Sequence, residues 1–131
     1  MLMTQVLADA YRCEAAIEDA DAVMDAALAA AAAVGATIVG ESTVRYVPHG
    51  LTIAVFLAES HIVLTTWPEH RLLLIDTLLC NPDMDPDVAI DAIVQRLCPS
   101  GEVVRQRIPR RIADGPDEAP AAKGMNVSPS R

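Results

Sequence analysis

The stretch LAESHIVLTTWPEH, Leu57 to His70, decides the fold. Two apolar runs meet there at three polar residues, Glu59-Ser60-His61. The run from Ile62 to Trp67 is rich in β-branched side chains and too short for a helix, so it reads as a strand. The run before it, LTIAVFLA (51–58), reads the same way. Strands joined by so short a break pair antiparallel. The break itself is unusual, because a tight hairpin is normally built on Asn-Gly or Asp-Gly. A carboxylate, a hydroxyl and an imidazole stand there instead. On the residues alone this is either a polar turn or a reactive one.

Outward from the hairpin, ATIVGESTVRYV (36–47) and RLLLIDTLLC (71–80) are strand-like, with Gly40 a bulge or turn. The separators Pro48-His49-Gly50 and Pro68-Glu69-His70 are short, so these neighbours also pair antiparallel. QVLADAY (5–11) is a first strand and EVVRQRI (102–108) a last one. Residues 18–36 form a helix. Acidic residues crowd its start, where the macrodipole favours them, alanine fills its middle, and Gly35 sits at its C-terminal cap. Val23, Ala27, Ala30 and Val34 make its apolar stripe. A second helix starts with Asp85 as N-cap and Pro86 at its first position. It runs to Leu97, with Val88, Ile90, Ile93, Val94 and Leu97 apolar.

The order strand, helix, strands, helix, strand implies an α+β two-layer sandwich: an antiparallel sheet with two helices on one face. Nothing in the chain is left to cover the other face. Sheet packing against sheet across a homodimer is the expected remedy. Residues 1–112 make one domain, and 113–131, rich in Ala, Pro, Gly and Ser without periodicity, read as a disordered tail.

At 131 residues and 52% hydrophobic the chain can bury a core, and with only Tyr11, Tyr46, Phe56 and Trp67 aromatic, that core is aliphatic. A formal charge of −8 argues against nucleic acid and anionic membranes as partners. The late basic residues, Arg105 to Arg111, read as a strand edge rather than a phosphate site. No basic-then-apolar leader is seen and no apolar run is long enough to span a bilayer, so a cytoplasmic chain is expected. Cys13, Cys80 and Cys98 are then reduced thiols, and their spacing shows no metal signature. Cys13 and Cys98 read as packing residues.

The chain resembles the prokaryotic S-adenosylmethionine decarboxylases. The residues that carry the likeness are VLADAYRC, GATIV, YVPHGLT, LAESHIVLTTWPE and IDTLLC, which fall in one order between about Gln5 and Ile112. The resemblance implies a pyruvoyl-dependent proenzyme that cuts itself between Glu59 and Ser60. The serine hydroxyl attacks the preceding carbonyl to form an ester, and loss of the serine α-proton expels the upstream chain. Ser60 ends as a pyruvoyl group capping the downstream chain. That ketone would form a Schiff base with the substrate amine and act as electron sink when carbon dioxide leaves. The resemblance makes Cys80 the proton donor that quenches the carbanion. Tyr46 and Trp67 would flank the adenine of S-adenosylmethionine, and Glu69 would face its ribose or sulfonium. Thr52 would hydrogen-bond the oxyoxazolidine oxygen. The implied product is the aminopropyl donor for spermidine, made by a homodimer of cleaved protomers.

One position departs sharply from that pattern. The residue five after the cleavage serine is usually histidine, the processing base, and here it is Thr65. A neutral threonine cannot take an α-proton at physiological pH. His61, His49 and His70 are the imidazoles left to stand in. The family's serine in the Pro-x-Gly-x-Ser segment is here Thr52, which keeps its hydroxyl. Two other readings stay open: a pyruvoyl decarboxylase of ornithine or arginine on the same scaffold, and an uncut paralogue that regulates an active decarboxylase.

Overall fold

The computed structural model describes residues 1–116. Six strands, β1 (Leu2–Tyr11), β2 (Ile38–Arg45), β3 (Leu51–Leu57), β4 (Ser60–Trp67), β5 (Leu72–Leu79) and β6 (Glu102–Arg111), form one sheet in the order β2-β3-β4-β5-β1-β6. Every pairing is antiparallel. Helices α1 (Ala20–Ala33) and α2 (Pro86–Leu97) pack together on one face, as expected of the two-layer α+β sandwich. Most of the expected tail, 117–131, lies outside the described residues.

The helices begin where their caps dictate. Asp19 accepts from the backbone N–H of Asp21 and Ala22, and Asp85 from that of Asp87. Gly35 takes the positive φ of 72° that ends α1 without a Cβ penalty. The helix therefore spans 20–33 rather than 18–36, and a short 3₁₀ turn (Ala15–Glu18) precedes it. Ala26, Ala27, Ala30 and Ala31 are all fully buried. Methyl-sized side chains let α1 lie close to both α2 and the sheet. On α2 the buried stripe is Ala89, Ile90, Ile93 and Leu97, while Val88 faces solvent.

Strand alternation divides the sheet cleanly. Ile53, Val55, Ile62, Leu64, Leu73 and Ile75 point to the helices and are buried. Their neighbours Thr52, His61, Val63, Thr65, Leu74 and Asp76 stand on the opposite, uncovered face. The strand ends shift from expectation by one to three residues, and three of the shifts bear on the site or the sheet edge. β1 starts at Leu2, because it pairs with β6 as far as Arg111. β6 in turn runs through Pro109, which an edge strand tolerates. The hairpin turn is Ala58-Glu59 alone, since Ser60 already opposes Leu57 in the ladder. Gly40 marks a register shift in β2, in line with the bulge expected there.

The basic residues of β6 are largely structural. Arg105 donates to Asp87 and Asp91 of α2 at 2.6 Å each, and Arg107 also reaches Asp87. Hydrogen bonding from Arg105 holds the Asp87 carboxyl below its ordinary range. At the start of β6, Gly101 is wedged against the end of β1. A Cβ there would lie 2.0 Å from the Tyr11 carbonyl and 2.2 Å from the Cys98 Sγ. Gly101→Ala should cost about 1–3 kcal/mol through overpacking, read as a lower melting temperature. Cys13 and Cys98 are buried. Burial and the neighbouring Cys98 thiol push the Cys13 thiol up to about 12, so it stays protonated and inert.

Candidate active site

The expected site residues fall into two groups at opposite ends of β4. Ser60 begins that strand, half-buried, directly after the exposed Glu59. Cys80 follows the last residue of β5 and is half-buried. Its Sγ lies 3.7 Å from the carbonyl oxygen of Ala58. The thiol therefore stands one residue from the Glu59–Ser60 bond. His61, one position into β4, opposes Phe56 on β3 and Leu78 on β5. Its Nε2 lies 3.5 Å from Asp76 Oδ1.

The second group gathers where β4 ends. Thr52 and Thr65 are directly opposed across β3 and β4. Their hydroxyls are 3.1 Å apart, and the Tyr46 hydroxyl lies 2.9 Å from that of Thr52. Tyr46 and Trp67 are exposed, at 48% and 45%. A tryptophan in an apolar run would by default be core. Trp67 is not, because it falls on the odd, uncovered side of β4 beside Thr65. Glu69 follows it, exposed, in a 3₁₀ turn (Pro68–His70).

At about 3.3 Å per residue, Thr65 is roughly 16 Å along the strand from Ser60, and Trp67 over 20 Å. Within one chain the cleavage bond and the hydroxyl cluster do not meet. His49 and His70 belong to the far end as well, in exposed turns beside Gly50 and Trp67. Of the three histidines, only His61 lies near Ser60. Between the groups the uncovered face holds a shallow depression of about 280 Å³, lined in part by Leu7, Asp9, Val63, Thr65, Leu74 and Asp76. A ligand pocket normally encloses most of its ligand, and this one has no opposite wall.

Sequence reasoning gave no role to Gln5 or Arg110, and noted Asp76 only as part of the IDTLLC likeness. Arg110 Nη1 donates to Gln5 Oε1 at 2.6 Å, and Gln5 Nε2 donates to Asp76 Oδ1 at 2.9 Å. The period-two alternation of IDTLLC already put Asp76 on the Cys80 face. The links to Gln5 and Arg110 depend on β1 lying between β5 and β6, for which the sequence carries no signal.

Comparison with known proteins agrees with this architecture. The family model described as S-adenosylmethionine decarboxylase matches residues 4–111. The S-adenosylmethionine decarboxylase proenzyme of Acidithiobacillus ferrooxidans is 36% identical over 88 residues, which cover 66% of this chain and 66% of that one. The proenzyme of Symbiobacterium thermophilum is 44% identical over 82 residues, covering 63% and 61%. The chain thus spans slightly under two thirds of the length of these relatives. The crystal structure of the adenosylmethionine decarboxylase from Aquifex aeolicus superimposes with a TM-score of 0.76 at 30% identity, covering 88% of this chain and 96% of that one. With a family match that takes in every strand and both helices, the chain belongs to the S-adenosylmethionine decarboxylase family.

Proposed function

We propose that this chain is a proenzyme that cuts itself between Glu59 and Ser60 and then decarboxylates S-adenosylmethionine, yielding the aminopropyl donor for spermidine. The observation that carries the reading is the Cys80 thiol, 3.7 Å from the Ala58 carbonyl and next to the Glu59–Ser60 bond. A nucleophilic hydroxyl and a proton-donating thiol thus share one exposed hairpin end. These residues fit a pyruvoyl group made from Ser60. That group would supply an electron sink for the pair left on the substrate α-carbon when carbon dioxide departs. Cys80 then returns a proton to the substrate carbon, and its position at the strand end keeps it free of the helix layer. The acidic Glu69 suits a sulfonium substrate, and Tyr46 and Trp67 offer flat faces to an adenine. Thr52, bonded to Tyr46 and Thr65, presents a fixed hydroxyl to an oxyanion.

The split of these residues between the two ends of β4 supports a homodimer packed sheet to sheet. A two-fold axis lying between the two sheets, parallel to their planes and perpendicular to β4, lays the Ser60 end of one protomer over the Thr65 end of the other. Each composite site would then hold Ser60, His61 and Cys80 from one chain. Tyr46, Thr52, Thr65, Trp67 and Glu69 would come from its partner. The partner's sheet would also supply the wall that the open depression lacks.

Intact mass of the purified, denatured protein tests the proposal. The expected result is two chains, 1–59 and 60–131, the second lighter by one ammonia than a serine-started chain. Two chains without that deficit mean hydrolysis of the ester and no pyruvoyl group. A single chain stable for days overturns the proposal and favours the regulatory paralogue, the reading that Thr65 motivates. Turnover of ornithine or arginine instead of S-adenosylmethionine by a correctly cut protein would overturn the substrate alone.

A further inference from the structure

Making a pyruvoyl group from an ester-linked serine needs a base for the Ser60 α-proton, and Thr65 cannot be one. We propose that His61 is that base, and that Asp76, Gln5 and Arg110 form a relay that positions it. The inference rests on the self-cleavage reading above. Four strands contribute: Arg110 on β6, Gln5 on β1, Asp76 on β5 and His61 on β4. Arg110 donates to Gln5 Oε1, which fixes the amide so that its Nε2 donates to Asp76. Asp76 Oδ1 accepts that bond and faces His61 Nε2 at 3.5 Å. A carboxylate at Nε2 favours the tautomer that carries its proton there. Nδ1 is then left with a free lone pair. By covalent geometry Nδ1 is the ring nitrogen nearer the main chain, and the preceding residue is Ser60 itself.

In the step assigned to it, His61 Nδ1 takes the Ser60 α-proton. The electron pair of the broken Cα–H bond becomes the Cα–Cβ double bond. The Cβ–O bond breaks, and Glu59 leaves as the free carboxylate of the upstream chain. The resulting dehydroalanine tautomerises to an imine, and water replaces its nitrogen as ammonia. The imidazolium formed in the first step lies beside Asp76, which stabilises it. His49 and His70 cannot serve this bond within the chain, being at the opposite end of β4.

Timed cleavage in cell-free synthesis tests the assignment. His61→Gln is expected to cut about 10²–10⁴-fold more slowly than the parent chain, and His61→Gly, equally slow, to be partly restored by added imidazole. Asp76→Asn should be slowed with an unchanged melting temperature, and Asp76→Glu should recover much of the rate. A structural role would not respond to imidazole or to the restored carboxylate. Cleavage of His61→Gln at the parent rate overturns the inference and leaves the proposed function intact. So does a slow His61→Gly variant that imidazole does not rescue. A parent chain that remains uncut overturns both.

Discussion

Ser60→Ala is expected to leave one unbroken chain with no measurable decarboxylation. Its methyl group has no lone pair to attack the Glu59 carbonyl, and no hydroxyl from which a carbonyl cap could be made. The loss should be complete, unlike that of a base or a hydrogen-bond donor. Ser60→Cys separates the two halves of the chemistry. A thiol can attack and form a thioester, so the chain should still be cut by added hydroxylamine, which intact mass would show. The fold should not suffer, because Ser60 is half-buried at the very start of β4 and alanine is smaller than serine. A Ser60→Ala protein that is nevertheless cut at 59–60, or that still turns over S-adenosylmethionine, would remove Ser60 from the mechanism.

Much of this fold was legible because its signals are local. Asp19, Gly35 and the Asp85-Pro86 pair each fix a helix end through a backbone hydrogen bond or a permitted dihedral. Short separators between β3, β4 and β5 leave no choice but antiparallel neighbours. The hairpin too was legible, although the turn proved to be Ala58-Glu59 and to leave Ser60 and His61 in the ladder. What was not legible is how far apart five residues are. On a helix, Ser60 and Thr65 would be neighbours within one and a half turns; on a strand they are separated by most of its length. The likeness of motifs lists them together, and only the strand shows that one chain cannot bring them together. Sheet order was equally hidden. β1 enters between β5 and β6, and that insertion joins Gln5 to Asp76 and Arg110. Such a relay spans |i−j| of 71 and 105 residues, so no window of sequence contains it.

Mixing two inactive variants should restore activity if the sites are composite. One variant is Ser60→Ala, which spoils the cleavage end. The other carries Tyr46→Ala with Trp67→Ala, which spoils the aromatic end while leaving the core untouched, because both side chains are about half exposed. In either homodimer both sites are defective. In a mixed dimer one site carries both lesions and the other carries neither. Random pairing at equal expression makes half the dimers mixed, each with one sound site of two. About a quarter of parent activity is therefore expected. Two affinity tags purify the mixed species, which should show about half. If each protomer holds a whole site, mixing restores nothing, because every chain keeps its own lesion. A null result in doubly tagged, demonstrably mixed dimers would exclude composite sites. Recovery would explain why the uncovered face presents hydroxyls, an imidazole and carboxylates among its leucines, whereas the centre of a homodimer interface is otherwise mostly apolar and poor in charged groups.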